Sequence, residues 1–302
     1  MTTPTHMSNA AWGLLLLLGL IWGGSFFSIA IALREVGVLT SVTHRVGWAA
    51  LVLWAVVAMR GHPLPRSPRV WIGFAGMGLL NNVIPFTLMA WGQTRIETGL
   101  VSILNATTAI FGVLVAAALL ADERLTARRA LGAALGLAGV ATIMGWQALA
   151  SFDPRNLAQL AVLAGTLSYA FAGVWARVML KGLPPEMAAA GMLTASTLVM
   201  LPLGWAVEGS PFVALSGSGF AAIGYYAVVA TALAYLLYYR ILAMAGSGNL
   251  ILVTLLIPAV AITLGALFLG ESLSPRAFAG LALIALGLVT IDGRVFKAVS
   301  PR

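Results

Sequence analysis

Apolar residues along this 302-residue chain fall into ten runs, near 12–32, 43–59, 70–92, 99–120, 130–147, 157–179, 187–207, 218–239, 249–269 and 276–292. Each is about 17–22 residues long, the length at which an α-helix crosses a bilayer. Between them lie short breaks with turn chemistry: HPLPRSPR (62–69), DERLTARR (122–129), SFDPRN (151–156), KGLPPE (181–186), EGSP (208–211) and AGSGN (245–249). The pattern predicts ten membrane helices with no extramembrane segment long enough for a soluble domain. The fifth and tenth runs, which hold the same place in each half of the chain, are expected to be among the shortest. No Lys or Arg precedes Trp12 and no small-residue cleavage site follows, so the first run is expected to be a retained span.

The pattern is written twice. From Ala121 the chain reads ADERLTARRALGAALGLAGVATI, and from Gly270 it reads GESLSPRAFAGLALIALGLVTI. A shift of 148 carries Glu123 onto Glu271, Leu125 onto Leu273, Thr126 onto Ser274, Arg128 onto Arg276, Gly132 onto Gly280 and Gly139 onto Gly287. Each copy has an acidic residue closing one apolar run, a polar turn, and a Gly-studded run. The unit is far too long for a solenoid repeat. It divides the chain into 1–150 and 151–302, as in transporters built from paired halves.

Composition agrees: 61% of residues are hydrophobic and 9% charged, against about a quarter charged in soluble domains. Cysteine is absent, which excludes disulfides and thiolate metal sites. The net charge of +8 is read as loop cations that orient a membrane protein, not as a nucleic-acid surface. Twelve Lys and Arg fall on the side shared with both termini: Arg60, Arg66, Arg69, Arg124, Arg128, Arg129, Arg177, Lys181, Arg240, Arg294, Lys297 and Arg302. Five fall on the other: Arg34, Arg45, Arg95, Arg155 and Arg276. This places both termini in the cytoplasm. Five spans per half then give the halves opposite orientation. The repeat carries the same sign, since Ser272 and Ala277 stand where the first copy has Arg124 and Arg129.

LIWGGSF (20–26), His44-Arg45, LADERLT with the glycines through 139, and GESLSPRAFAGLALIALGL (270–288) after Pro258 resemble the drug/metabolite transporter superfamily, in its EamA family. Within it the chain is most similar to the YddG-type exporters of aromatic amino acids. The resemblance covers nearly the whole chain. It implies an all-α fold of ten transmembrane helices in two inverted five-helix repeats around a central cavity, moving small metabolites or drugs outward by alternating access. The motif does not specify the cargo. One departure is Tyr169, which stands where such halves usually start with a tryptophan near that point.

Polar groups at membrane depth are site candidates by default. The third run has Asn81 and Asn82 at its middle, with Pro85 beside them. At 100° per residue, Asn82, Phe86, Met89 and Gln93 fall within an arc of about 60°. This stripe is either a cavity wall that binds substrate or amide-mediated packing between helices. In the fourth run Asn105 is preferred over Ser102 and Thr108, whose hydroxyls can bond their own helix. Trp22, Ser25 and Phe26 flank Gly23-Gly24, a point of close backbone approach or of tight helix packing. Among the eighth-run tyrosines, Tyr235 is assigned to the cavity, and Tyr225, Tyr226 and Tyr239 to the interfacial belt with Trp12, Trp48, Trp71, Trp91 and Trp146.

His44 and Arg45 open the second run as a gate or carboxylate contact, or as boundary anchors. Pro85 and Pro258 are candidate hinges or static kinks. Asp122, Glu123 and Glu271 are read as structural, stapling their turns beside Arg128 or Arg276. Gly132, Gly136 and Gly139 would let another helix approach closely.

The expected protein is an inner-membrane transporter of a small molecule, an amino acid by preference, with lipid as its other partner and a homodimer an open option. An intramembrane enzyme would need an acid, base, nucleophile or metal set at depth. The chain has no HExxH and no intramembrane Asp pair, and no cofactor or metal is expected.

Overall fold

The computed structural model describes residues 8–145, 154–250 and 252–292. Trp146, residues 151–153 of the 151–156 turn and the cations Arg294, Lys297 and Arg302 lie outside the described residues. Ten apolar helices are present among those residues: α1 Asn9–Ala32, α2 Val38–Met59, α3 Pro68–Gln93, α4 Thr98–Leu119, α5 Ala127–Met144, α6 Arg155–Met179, α7 Pro185–Glu208, α8 Gly217–Gly246, α9 Val253–Leu269 and α10 Pro275–Asp292. Two boundaries differ from expectation. α8 runs on to Gly246, whose φ of 76° breaks the helix. The shortest is therefore α9, not α5 or α10.

Local chemistry starts the helices. Ser8, Thr126 and Ser216 accept hydrogen bonds from the amides of Ala11, Arg129 and Gly219 at 3.2, 3.3 and 3.1 Å. Pro68, Pro185 and Pro275 open α3, α7 and α10, where a missing N–H costs nothing. Leu16, Leu20, Leu51, Leu198, Phe220, Leu267 and Leu286 stay exposed, the face such a bundle turns to lipid.

Helices of the two halves pack against one another. α2 lies along α7 and α5 along α10; α1 meets α9 while α6 meets α4; α1 meets α8 while α6 meets α3. Exchanging the halves leaves this list unchanged. The α5–α10 crossing shows why glycine is required: a Cβ on Gly132 would lie 2.6 Å from the Gly287 oxygen, and one on Gly139 would lie 2.7 Å from the Gly280 oxygen. The start of each helix thus meets the end of the other, so the two copies of the repeat cross antiparallel. The small-residue stripe expected to receive some other helix is occupied within the chain. Gly136, in the same stripe, faces Ile110 of α4.

The backbone leaves regular α geometry at matching depths. α3 contains a π segment at Gly78–Val83 and α8 one at Tyr225–Leu233. The 148-residue shift carries the first onto 226–231. Such i→i+5 segments recur at functional sites because they re-aim side chains and loosen the ladder.

Candidate functional site

The π segment of α3 presents Asn81 and Asn82 toward α7 and α8. Asn81 Nδ2 donates to Tyr235 Oη at 2.9 Å and to Asn82 Oδ1 at 3.2 Å. Tyr235 donates to Asn82 Oδ1 at 3.4 Å. Asn82 is fully enclosed and donates to Ser196 Oγ at 3.0 Å, while Ser196 itself donates to the Met192 carbonyl at 2.7 Å. Asn82 therefore makes an interhelical bond, and Asn81 and Tyr235 are the half-buried members of the network.

One turn along, Phe86 receives Arg45. The guanidinium carbon lies 3.7 Å from the ring centroid, and Nε donates to Thr231 Oγ1 at 3.0 Å. Thr231 is in turn fixed by donating to the Tyr226 carbonyl five residues back, the spacing of the π segment. The Arg45 charge also acts on the phenols of Tyr169, Tyr235 and Tyr226. Tyr169 packs against the two largest apolar cores at once. The structure thus brings together Arg45, Asn81, Asn82, Phe86, Tyr169 and Tyr235, with each half contributing.

The remaining candidates lie around this cluster. Gln93 donates to the Phe26 carbonyl at 2.8 Å, its Oε1 is buried without a partner, and Met89 and Phe26 share one apolar core. Trp22 donates to the Ala230 carbonyl at 3.1 Å and stacks at 5.8 Å on Tyr238, and Ser25 donates to the Trp22 carbonyl at 2.6 Å. Asn105 sits where α4 loosens at 106–107, half-buried and without a hydrogen-bond partner among the described residues. His44 is apart: Trp48 donates to its Nδ1 at 3.2 Å, so Nε2 carries the proton donated to the Pro211 carbonyl at 2.9 Å. Pro85 follows the α3 π segment and packs on Gly165 of α6; Pro258 is buried within α9, beside Ile257, whose carbonyl faces Gly23 of α1.

Several sequence expectations need correction. Tyr226 is fully buried and donates to the Ser41 carbonyl at 3.2 Å, and Tyr225 donates to the Ile21 carbonyl at 3.1 Å. Both phenols serve helix packing, because a buried hydroxyl must find an acceptor. Tyr239 lines a cavity. Glu271 does not pair with Arg276; it accepts from the amides of Thr98 and Gly99 at 2.9 and 3.3 Å and so caps α4. Arg128 donates to the Asp292 carbonyl, while Glu123 pairs with Arg129 at 2.9 Å and Asp122 with Arg177. Ser196, Thr231 and Tyr226 were missed as network members. Polar side chains at mid-span would have flagged the first two.

Carboxylates bridge the halves at both ends of the bundle, and one end also has a cavity. At one, carboxylates join the halves: Glu208 accepts from the amides of Leu39 and Thr40 at 3.0 and 2.8 Å, Glu35 accepts from the Ser216 amide at 2.8 Å, and Glu97 pairs with Arg155 at 2.7 Å. At the other, a cavity of about 730 Å³ opens beside Arg60, His62, Glu186, Leu236, Tyr239 and Arg240. Arg60 and His62 hold Glu186 at 2.7 and 2.9 Å. Tyr239 lies one turn from Tyr235 on the same face of α8.

A bundle of paired five-helix repeats with a polar cluster at depth fits the class of multi-pass membrane transporters. The EamA-like transporter family matches residues 10–145 and again 156–291, and the chain belongs to that family. It is 28% identical to the uncharacterized inner membrane transporter YedA of Escherichia coli (strain K12), over 95% of this chain and 92% of that protein. It is also 28% identical to a probable terminal-alkyne amino-acid exporter of Streptantibioticus cattleyicolor, over 95% of both. A solved crystal structure with 20% identity superposes with a TM-score of 0.66, covering 93% of this chain and 96% of that one, and shows the same fold.

Proposed function

We propose that the protein exports small amphipathic metabolites, amino acids including aromatic ones, across the inner membrane by alternating access between two inverted halves, with both termini cytoplasmic. The observation that carries this reading is the cluster at the α3 and α8 π segments. Asn81 and Phe86 come from the first half, Tyr169 and Tyr235 from the second, and their aromatic faces sit beside amide and phenol groups. A tyrosine offers both a π face and a hydroxyl, which suits a cargo with an apolar body and a polar end. The amino-acid exporter among the relatives supports the same cargo class. The cavity beside Tyr239 lies at the end assigned as cytoplasmic.

Proteoliposomes preloaded with labelled phenylalanine, leucine and a non-amino-acid drug test the reading. Amino-acid efflux above that of empty liposomes is expected, and Tyr235→Ala should cost more with phenylalanine than with leucine. Movement of the drug alone would overturn it in favour of a different cargo within the family.

A further inference from the structure

Arg45 stands about 10 Å inside the end of α2, seven residues past Val38 at 1.5 Å per residue. A guanidinium at that depth is costly unless it is paired. Among the described residues its hydrogen bonding is limited to Nε on Thr231, and neither Nη group has an acceptor. The Nη groups are also not sealed off, since none is a buried unsatisfied atom. Seven of the eight described carboxylates are engaged elsewhere. Glu35, Glu208 and Glu271 cap helix starts; Glu97, Asp122, Glu123 and Glu186 hold Arg155, Arg177, Arg129 and Arg60. Asp292 closes α10, where its carbonyl accepts from Arg128. Among the described residues no lysine or second arginine acts on Arg45; its electrostatic neighbours are three phenols.

We propose that Arg45 is the receptor for a carboxylate of the transported molecule, so that the cargo class is a monocarboxylate or zwitterion with an aromatic or apolar body. This rests on the transporter reading and goes beyond it by naming the group recognised. Three features favour a single carboxylate. The Phe86 face and the Thr231 hydroxyl hold the guanidinium plane, leaving the paired Nη donors as a fork that matches two carboxylate oxygens. One cation without a second nearby answers one negative charge, not a phosphate dianion. Phe86 stacks on it, and Tyr169 and Tyr235 pack against the same apolar core as Phe86, giving rings that accept an apolar body. An organic cation would meet like charge and no carboxylate.

The test is binding to purified protein, read by displacement of labelled phenylalanine and by thermal shift. The ligands are phenylalanine, 3-phenylpropionate, phenylalaninamide and a phenylalkylammonium ion. The expected result is that both acids bind at least tenfold more tightly than the amide and the ammonium ion. Arg45→Gln should remove that preference and Arg45→Lys should keep part of it. The wild-type acid-to-amide ratio alone is decisive should Arg45→Gln fail to fold. Equal binding of acid and amide overturns the inference. So does phenylalanine binding unchanged in Arg45→Gln, which leaves the amino-acid reading intact. Binding of 3-phenylpropionate through Arg45 without binding of phenylalanine keeps the inference and overturns the amino-acid reading. Binding of neither acid overturns both.

Discussion

A methyl group added at Gly139 should separate the crossed repeats. Its Cβ would lie 2.7 Å from the Gly280 carbonyl oxygen, 2.9 Å from Ile284 Cγ1 and 3.1 Å from the Ile284 nitrogen. Ordinary contact begins near 3.4 Å, so about 0.7 Å must open against the first atom (3.4 − 2.7). Two of the three opposing atoms are backbone, so no rotamer change relieves the overlap and α10 must move as a body. Overpacking of this kind costs about 1–3 kcal/mol. Gly112 in α4 has nothing within 4 Å of the same position. Alanine there should gain up to about 1 kcal/mol of helix propensity, a gain both variants share, so the two should differ by the overpacking cost of about 1–3 kcal/mol. Tryptophan fluorescence during SDS titration in mixed micelles measures this. Gly280→Ala, the counterpart across the crossing, should match Gly139→Ala, since its Cβ meets the Gly139 oxygen at 2.7 Å. Cargo preference should not change, because the crossing lies outside the Arg45–Tyr235 cluster. Gly139→Ala as stable as Gly112→Ala would refute the reasoning.

Two further outcomes follow from the charges. Glu35, between α1 and α2, is held below the usual carboxylate range, first by the Ser216 hydroxyl and then by the Ser216 amide. A depressed folded-state pKa stabilises above the unfolded value and is lost as pH falls through the folded one. Amide exchange at 216–219, corrected for intrinsic rates, should therefore quicken only below about pH 4, and quickening between pH 5 and 7 would contradict the assignment. Second, the described carboxylates lie at span ends or in loops and are engaged there, so transport is expected to run down the cargo's own gradient without obligatory proton coupling. Cargo accumulation driven by an imposed pH gradient alone, and abolished by an uncoupler, would show the opposite.

The site residues were unevenly legible. Asn81, Asn82 and Tyr235 could be found because an amide or phenol at mid-span needs a partner, wherever that partner is. Arg45 could be located but not interpreted. At the opening of a run, an arginine reads as a snorkelling anchor, and only the packing of α3 and α8 shows its plane held by Phe86 and Thr231. Tyr226 and Tyr225 were misassigned to the belt because tyrosine frequency at interfaces says nothing about a particular ring. Their acceptors, Ser41 and Ile21, lie about 200 residues away in the chain.

Length and hydropathy of the runs determined the helices, because in lipid the backbone must bond within its own segment. The doubled motif determined the repeat, because equivalent glycines mark equivalent close approaches. Only the tertiary structure decided where those approaches are met. Gly139 meets Gly280 and not a second molecule, and Glu271 caps α4 instead of its own turn. It also decided that carboxylates such as Glu208 and Glu186 bridge the two halves. These are contacts between segments far apart in sequence. Their energies depend on distances of a few ångströms that no local pattern encodes.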